Sequence, residues 1–159
     1  MIFVTLGTQN FAMDRVIKEI DHLIEKGFLN SNEVIIQCGA SKPSRHAVTY
    51  KFINENEFNQ YLIACDILIT HAGTSSIIKG LRAGKKVIVI PREKDRGEHV
   101  DNHQFEIAEV FGSQNYVLVI KNVQQLEESI KKIKNMNFKE YNSQGELASY
   151  IAKNYLINK

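Results

Sequence analysis

Apolar residues follow two rhythms along this chain, and the rhythms take turns. Residues 2–6 (Ile-Phe-Val-Thr-Leu) form a short, nearly unbroken apolar run that ends in Gly7-Thr8. Such a run reads as a strand buried on both faces. Met13, Val16, Ile17, Ile20 and Ile24 then recur at helical spacing, and Gly27 is a stop signal. The alternation continues. Further strands are predicted at 33–38, 48–53, 66–70, 86–90 and 116–120. Helices between them are marked by Phe58, Tyr61 and Leu62, by Ile77, Ile78 and Leu81, and by Phe105, Ala108 and Phe111. Val123, Leu126, Ile130 and Ile133 mark one more after the sixth strand. Asn54 and Glu57 have capping-box spacing, and Asn122 stands where a cap is needed.

Strands that alternate with helices pair in parallel, because each crossover returns the chain to the same end of the sheet. Six of them suit a Rossmann-like, doubly wound α/β domain over residues 1–135. Residues 136–159 differ in kind. A polar connection leads to Ser143-Gln144-Gly145-Glu146, again with capping-box spacing, and then to Leu147, Ile151 and Tyr155 on a narrow apolar stripe. That stripe fits packing on this domain, docking of another chain, or self-association.

Composition narrows the class. Apolar residues make up 43% and charged residues 24%, as in a soluble globular protein. A net charge of +2 is too small for a nucleic-acid-binding polycation. No apolar run approaches the ~20 residues that span a bilayer. The chain opens on its strand-like run, with no basic stretch before it, so a signal peptide is not expected and the cytoplasm is. Cys38 and Cys65 sit in or beside apolar segments and read as core residues.

Chemistry is expected at the carboxyl ends of the strands, where open parallel sheets bind ligands. His71-Ala72-Gly73-Thr74-Ser75-Ser76 leaves the fourth strand and opens a helix. Glycine admits close approach, and exposed N–H groups at a helix start suit a phosphate. The plain alternative is an ordinary Ser/Thr helix cap, with His71 a structural histidine. Residues 92–104 (R-E-K-D-R-G-E-H-V-D-N-H-Q) offer donors and acceptors that match sugar hydroxyls, or else a solvated loop capped by Asp101 or Asn102. Gly7-Thr8-Gln9-Asn10 lacks the pattern G-x-G-x-x-G, which argues against a nicotinamide or flavin site. Lys79, Arg82, Lys85, Lys86, Arg92, Lys94 and Arg96 lend this half a basic lean, suited to a diphosphate or an anionic surface, although for most of them a merely solvated surface is the better reading.

Four motifs occur in one order: F-V-T-L-G-T at 3–8, T-H-A-G-T-S-S at 70–76, G-K-K-V-I-V-I-P-R at 84–92 and G-E-H-V-D-N-H-Q at 97–104. Together they resemble the C-terminal domain of family 28 glycosyltransferases, from residue 1 to about 133. The likeness is strongest to short, split members acting in lipid-linked oligosaccharide, capsule and exopolysaccharide synthesis. The resemblance implies the donor-binding half of a GT-B fold. It implies inverting transfer of a hexose from a UDP-sugar to a polyprenyl-diphosphate-linked acceptor, with no metal or other cofactor. It also implies a membrane-anchored, acceptor-binding partner that recruits the chain to the inner face of the membrane.

Carried onto this sequence, Gly73, Thr74, Ser75 and Ser76 would hold the diphosphate. Asn102, His103 and Gln104 would meet the donor sugar, and Gly7 and Thr8 would line the cleft. His71, Glu98 and His99 are the acid–base candidates, unless the partner supplies that group. One position departs. Relatives carry glutamate where this chain has Lys79, and that glutamate accepts hydrogen bonds from the ribose hydroxyls. An ammonium only donates, which predicts weaker UDP binding. Lys79 therefore favours an alternative, a non-catalytic accessory subunit that stabilises a transferase.

Overall fold

A computed structural model describes residues 1–156 of the 159. Six parallel strands form one sheet: β1 (Ile2–Thr5), β2 (Val34–Gln37), β3 (Val48–Tyr50), β4 (Ile67–Thr70), β5 (Lys86–Val89) and β6 (Leu118–Val119). Their spatial order is β3-β2-β1-β4-β5-β6, the doubly wound order, with the switch between β1 and β4. The helices are α1 (Asp14–Glu25), α2 (Glu55–Ala64), α3 (Thr74–Arg82), α4 (His103–Ser113), α5 (Leu126–Ile133) and α6 (Glu146–Ile151). A π-helical segment, Ala152–Leu156, continues α6.

The sheet is a middle layer because its strands are apolar on both sides. Ile2, Val4, Leu6, Ile67, Ile69, Ile88 and Ile90 join one core with α1 and α5. The alternate positions, Phe3, Leu68, Val87 and Val89, join a second core with α2, α3, α4 and α6. This is the two-residue period of a strand, filled with large residues at every step. Each fully buried side chain of this size contributes roughly 1.5–3 kcal/mol.

All six strands are shorter than the apolar pattern predicts, four by one or two residues and two by three. The third, expected over 48–53, ends at Tyr50, because its neighbour β2 turns away at Gly39 (φ +58°) and leaves Phe52 exposed. The sixth, expected over 116–120, pairs only at Leu118–Val119. There the Tyr116 N–H still bonds the Phe111 carbonyl and closes α4.

The capping box forms at Asn54 and Glu57 but not at residues 143–146. Gly145 is the N-cap of α6, and Asn142 Oδ1 instead accepts from the Gln144 N–H. Leu147 and Ile151 are buried in the second core, so the tail helix packs on this domain. Of the tail expected over residues 136–159, the last three lie outside the described residues.

Candidate functional site

At the switch point the two central strands run in register, with Thr5 beside Thr70. The chain leaves β1 toward one face of the sheet and leaves β4 toward the other. The loops therefore diverge and open a crevice at the carboxyl ends. A cleft of about 530 Å³ lies there. Gly7, Thr8 and Gln9 form one wall, residues 71–76 the floor, and His99, His103, Gln104 and Ile107 another wall. Asn154, Tyr155 and Leu156 close its rim from the tail.

The floor is the start of α3. Its N-cap is Gly73, and no side chain caps it. Its first turn holds Thr74, Ser75 and Ser76, with no acidic residue. Among the described residues, the other five α-helices each carry an acidic side chain in the first turn. The first backbone bond inside α3 runs from the Ile77 N–H to the Gly73 carbonyl, so the amides before it face the cleft end. The Ser/Thr-cap alternative is not realised. A helix start with uncapped N–H groups and no local anion favours a bound anion. Gly80 seats the helix: a Cβ there would stand 2.6 Å from Leu68 Cδ2 and 2.9 Å from Val87 Cγ2.

His71 packs between the two glycine loops. A Cβ on Gly7 would lie 2.6 Å from His71 Nε2, and a Cβ on Gly73 would lie 2.2 Å from its Cε1. Gln104 holds the ring from below. Its Oε1 accepts from the Ala72 N–H and the Arg92 N–H, both at 3.1 Å. An amide oxygen so engaged turns the Gln104 Nε2 toward His71 Nδ1, 3.0 Å away. The NH₂ group can only donate, so Nδ1 is the acceptor and the ring proton sits on Nε2.

A charged knot ties the wall loops together. Arg92 is 1% exposed. Its guanidinium donates to the carbonyls of Phe11 (2.6 Å), Glu98 (3.1 Å) and Leu6. Burial pushes its pKa below the ordinary arginine value, and the Glu98 charge opposes that. Glu98 is buried too. Arg15 donates to both its oxygens, at 2.8 and 3.0 Å, and the Glu93 N–H reaches Oε2 at 3.0 Å. The loop after β1 and the loop after β5 are thus fixed to each other at the cleft mouth.

The cleft brings together Gly7, Thr8, Gly73, Thr74, Ser75, Ser76, His103 and Gln104, along with His71 and His99. Two candidates stand outside its lining. Asn102 Oδ1 accepts from the Lys94 N–H at 3.1 Å, and Glu98 lies in the knot behind the wall. Gln104 is 6% exposed and spends its amide on His71 and the backbone. His103 is exposed, with Nδ1 2.9 Å from Glu106. Lys79 ion-pairs with Glu55 at 3.2 Å and lies over the Phe58 ring, away from the cleft lining.

Sequence reasoning missed Gln37, Ile107 and the tail residues. Gln37 carried a usable signal, a polar residue closing an apolar strand. Tyr155 carried none, because its place on an apolar stripe marks it as core. A second cleft of about 560 Å³ adjoins the first across Thr8 and Gln9, which line both. Gly39, Lys51 and Phe52 are on its far side.

Comparison with known proteins adds a lineage. The family model described as "Glycosyltransferase family 28 C-terminal domain" matches residues 1–155. Among curated proteins, the chain is 34% identical over 108 residues to the UDP-N-acetylglucosamine transferase subunit ALG13 of Candida albicans, covering 68% of this chain and 34% of that protein. It is 31% identical over 117 residues to the mouse protein of the same name, covering 67% of this chain and 9% of that protein. The chain thus spans about a third, or less, of these relatives' length. Among solved structures, an ALG13 solution structure overlays with a TM-score of 0.58 at 19% identity, over 94% of this chain and 92% of that one, a likeness of fold.

Proposed function

The chain belongs to the glycosyltransferase family 28 C-terminal domain family, and from that premise we propose that it is the donor-binding catalytic subunit of a two-component, inverting glycosyltransferase. The observation that carries this is the uncapped, acid-free start of α3 facing the switch-point cleft. The donor diphosphate lies on the N–H groups and hydroxyls of Thr74, Ser75 and Ser76. The sugar lies toward His103, and the base toward the adjoining cleft, where Phe52 offers a 53%-exposed ring. The donor is a UDP-hexose. The acceptor is a polyprenyl-diphosphate-linked glycan, of the lipid-linked, capsule or exopolysaccharide kind. No cofactor or metal takes part.

Among the described residues, no helix is long and apolar enough to cross a membrane. In this proposal a membrane-anchored partner binds the lipid acceptor and brings the chain to the inner face of the membrane. Lys79 is held by Glu55 and Phe58, and as an ammonium it offers the ribose hydroxyls no acceptor.

Calorimetric titration with UDP tests the site. Binding by the wild type, with at least tenfold weaker binding by Ser75→Glu, is expected, because a carboxylate at the helix start repels the diphosphate. No UDP binding by a folded wild type overturns the donor site. Partner binding retained in that case makes the chain an accessory subunit.

A further inference from the structure

Four acidic or imidazole side chains stand in or behind the cleft walls, and three are already committed. His103, exposed and with its Nδ1 2.9 Å from Glu106, is placed against the donor sugar. Both Glu98 oxygens are taken by Arg15 and the Glu93 N–H. His71 Nδ1 is held by the Gln104 amide. His99 is different. It lines the cleft, its side chain is 15% exposed, and its ring packs on Phe11 with centroids 5.6 Å apart.

The His99 Nδ1 stands 3.0 Å from Asp101 Oδ1. The Asp101 backbone N–H also lies 3.4 Å from Nδ1, but the carboxylate, which only accepts, is the nearer and charged partner; it draws the ring proton to Nδ1 and leaves the lone pair on Nε2. The His103 backbone N–H, at 3.0 Å from the same oxygen, holds the Asp101 carboxyl below the usual carboxylate range, and the nearby His99 adds to this. The residue before His99 is anchored as well, since the Glu98 carbonyl accepts from Arg92. A base whose second nitrogen is oriented by a carboxylate is the arrangement general-base chemistry needs.

We propose that His99 is the general base of the transfer, with Asp101 as its positioning residue; this rests on the sugar-nucleotide site proposed above. The acceptor hydroxyl oxygen forms a bond to the anomeric carbon. The bond from that carbon to the diphosphate oxygen breaks, and its electron pair leaves with the nucleoside diphosphate. The hydroxyl proton passes to His99 Nε2, and Asp101 stabilises the imidazolium. The ionisable groups around His99 are Asp101 on its own loop, Glu98 behind it, His71 and His103 in the cleft walls, and Tyr155 on the rim.

The test uses the full chain together with membranes carrying its partner. UDP affinity is read by calorimetry, and UDP release from a panel of UDP-hexoses is read across pH. His99→Gln is expected to bind UDP within about twofold of wild type and to lose about a hundredfold or more in transfer rate, with the acidic limb of the kcat/KM profile abolished. Asp101→Asn is expected to lower the transfer rate with UDP affinity little changed, since the ring loses the carboxylate that orients it. Nitrogen chemical shifts give a readout independent of activity: His99 is expected in the Nδ1–H form, and less so in Asp101→Asn. UDP binding with His99→Gln transfer near wild type and an unchanged limb overturns the role of His99 alone. An Nε2–H tautomer in the wild type does the same. Absent UDP binding by the wild type overturns the donor site and the base together.

Discussion

Gln104 on α4 donates from Nε2 to His71 Nδ1 at the end of β4, across 3.0 Å, while its Oε1 accepts two backbone N–H groups. One amide thereby fixes the tautomer of a histidine, the exit of β4 and the exit of β5. Gln104→Leu leaves the Ala72 and Arg92 N–H groups buried without that acceptor, each costing about 1–3 kcal/mol. Urea unfolding should show a loss in that range or above. Gln104→Glu keeps an acceptor for both and places a carboxylate beside His71 Nδ1, so the ring proton should move to Nδ1, which histidine nitrogen chemical shifts report.

Gly73→Ala separates sterics from backbone strain. The φ of Gly73 is −74°, which any residue adopts, but the new Cβ would stand 2.2 Å from the His71 ring. The expected cost is about 1–3 kcal/mol of overpacking. UDP affinity should fall as His71 and the floor shift. Gly84→Ala, with no neighbour within 4 Å but a φ of +66°, should lose about 1–2 kcal/mol of stability and leave UDP binding unchanged.

Arg92→Met should destabilise, because the carbonyls of Leu6, Phe11 and Glu98 lose a donor, each costing about 1–3 kcal/mol where it stays buried. Arg92→Lys should recover only part of this, since an ammonium lacks the planar fork that reaches separate carbonyls. Chemical denaturation of the two variants beside wild type checks the order.

Glu127 sets a testable pH dependence. Lys131 donates to its Oε1 at 2.6 Å and Lys26 donates to Oε2, which together lower its pKa to about 2. A depressed folded pKa contributes stability that is present above the ordinary carboxylate value and lost as pH falls through the folded one. The urea midpoint of wild type should therefore exceed that of Glu127→Gln near neutral pH. The gap should close between about pH 4.5 and 2.

Ile151→Ala should cost about 2–5 kcal/mol, the range for large-to-small changes in a packed core, because Ile151 is fully buried against the sheet domain. Thermal unfolding should remain a single transition if the tail helix belongs to this core. A separate low-temperature step, with the main transition unmoved, would show instead that the helix docks loosely.

The six strands, the Rossmann-like order of elements and the glycine floor were all legible in the sequence. They depend on local patterning: apolar runs two-deep for the sheet, helical spacing for its covers, and glycines where loops must turn. The roles within residues 92–104 were not legible. Gln104 and Asn102 sit in a polar run that fits sugar hydroxyls as well as it fits backbone; the folded loop decided for Asn102, which accepts from Lys94, and distant contacts decided for Gln104. Gln104 reaches 33 residues back to His71, and Arg92 reaches 81 back to Phe11 and 86 back to Leu6. The tail helix followed the same rule. Its stripe could be read from spacing, but what covers a stripe is set by which other surface lies opposite, and that is a property of the folded chain.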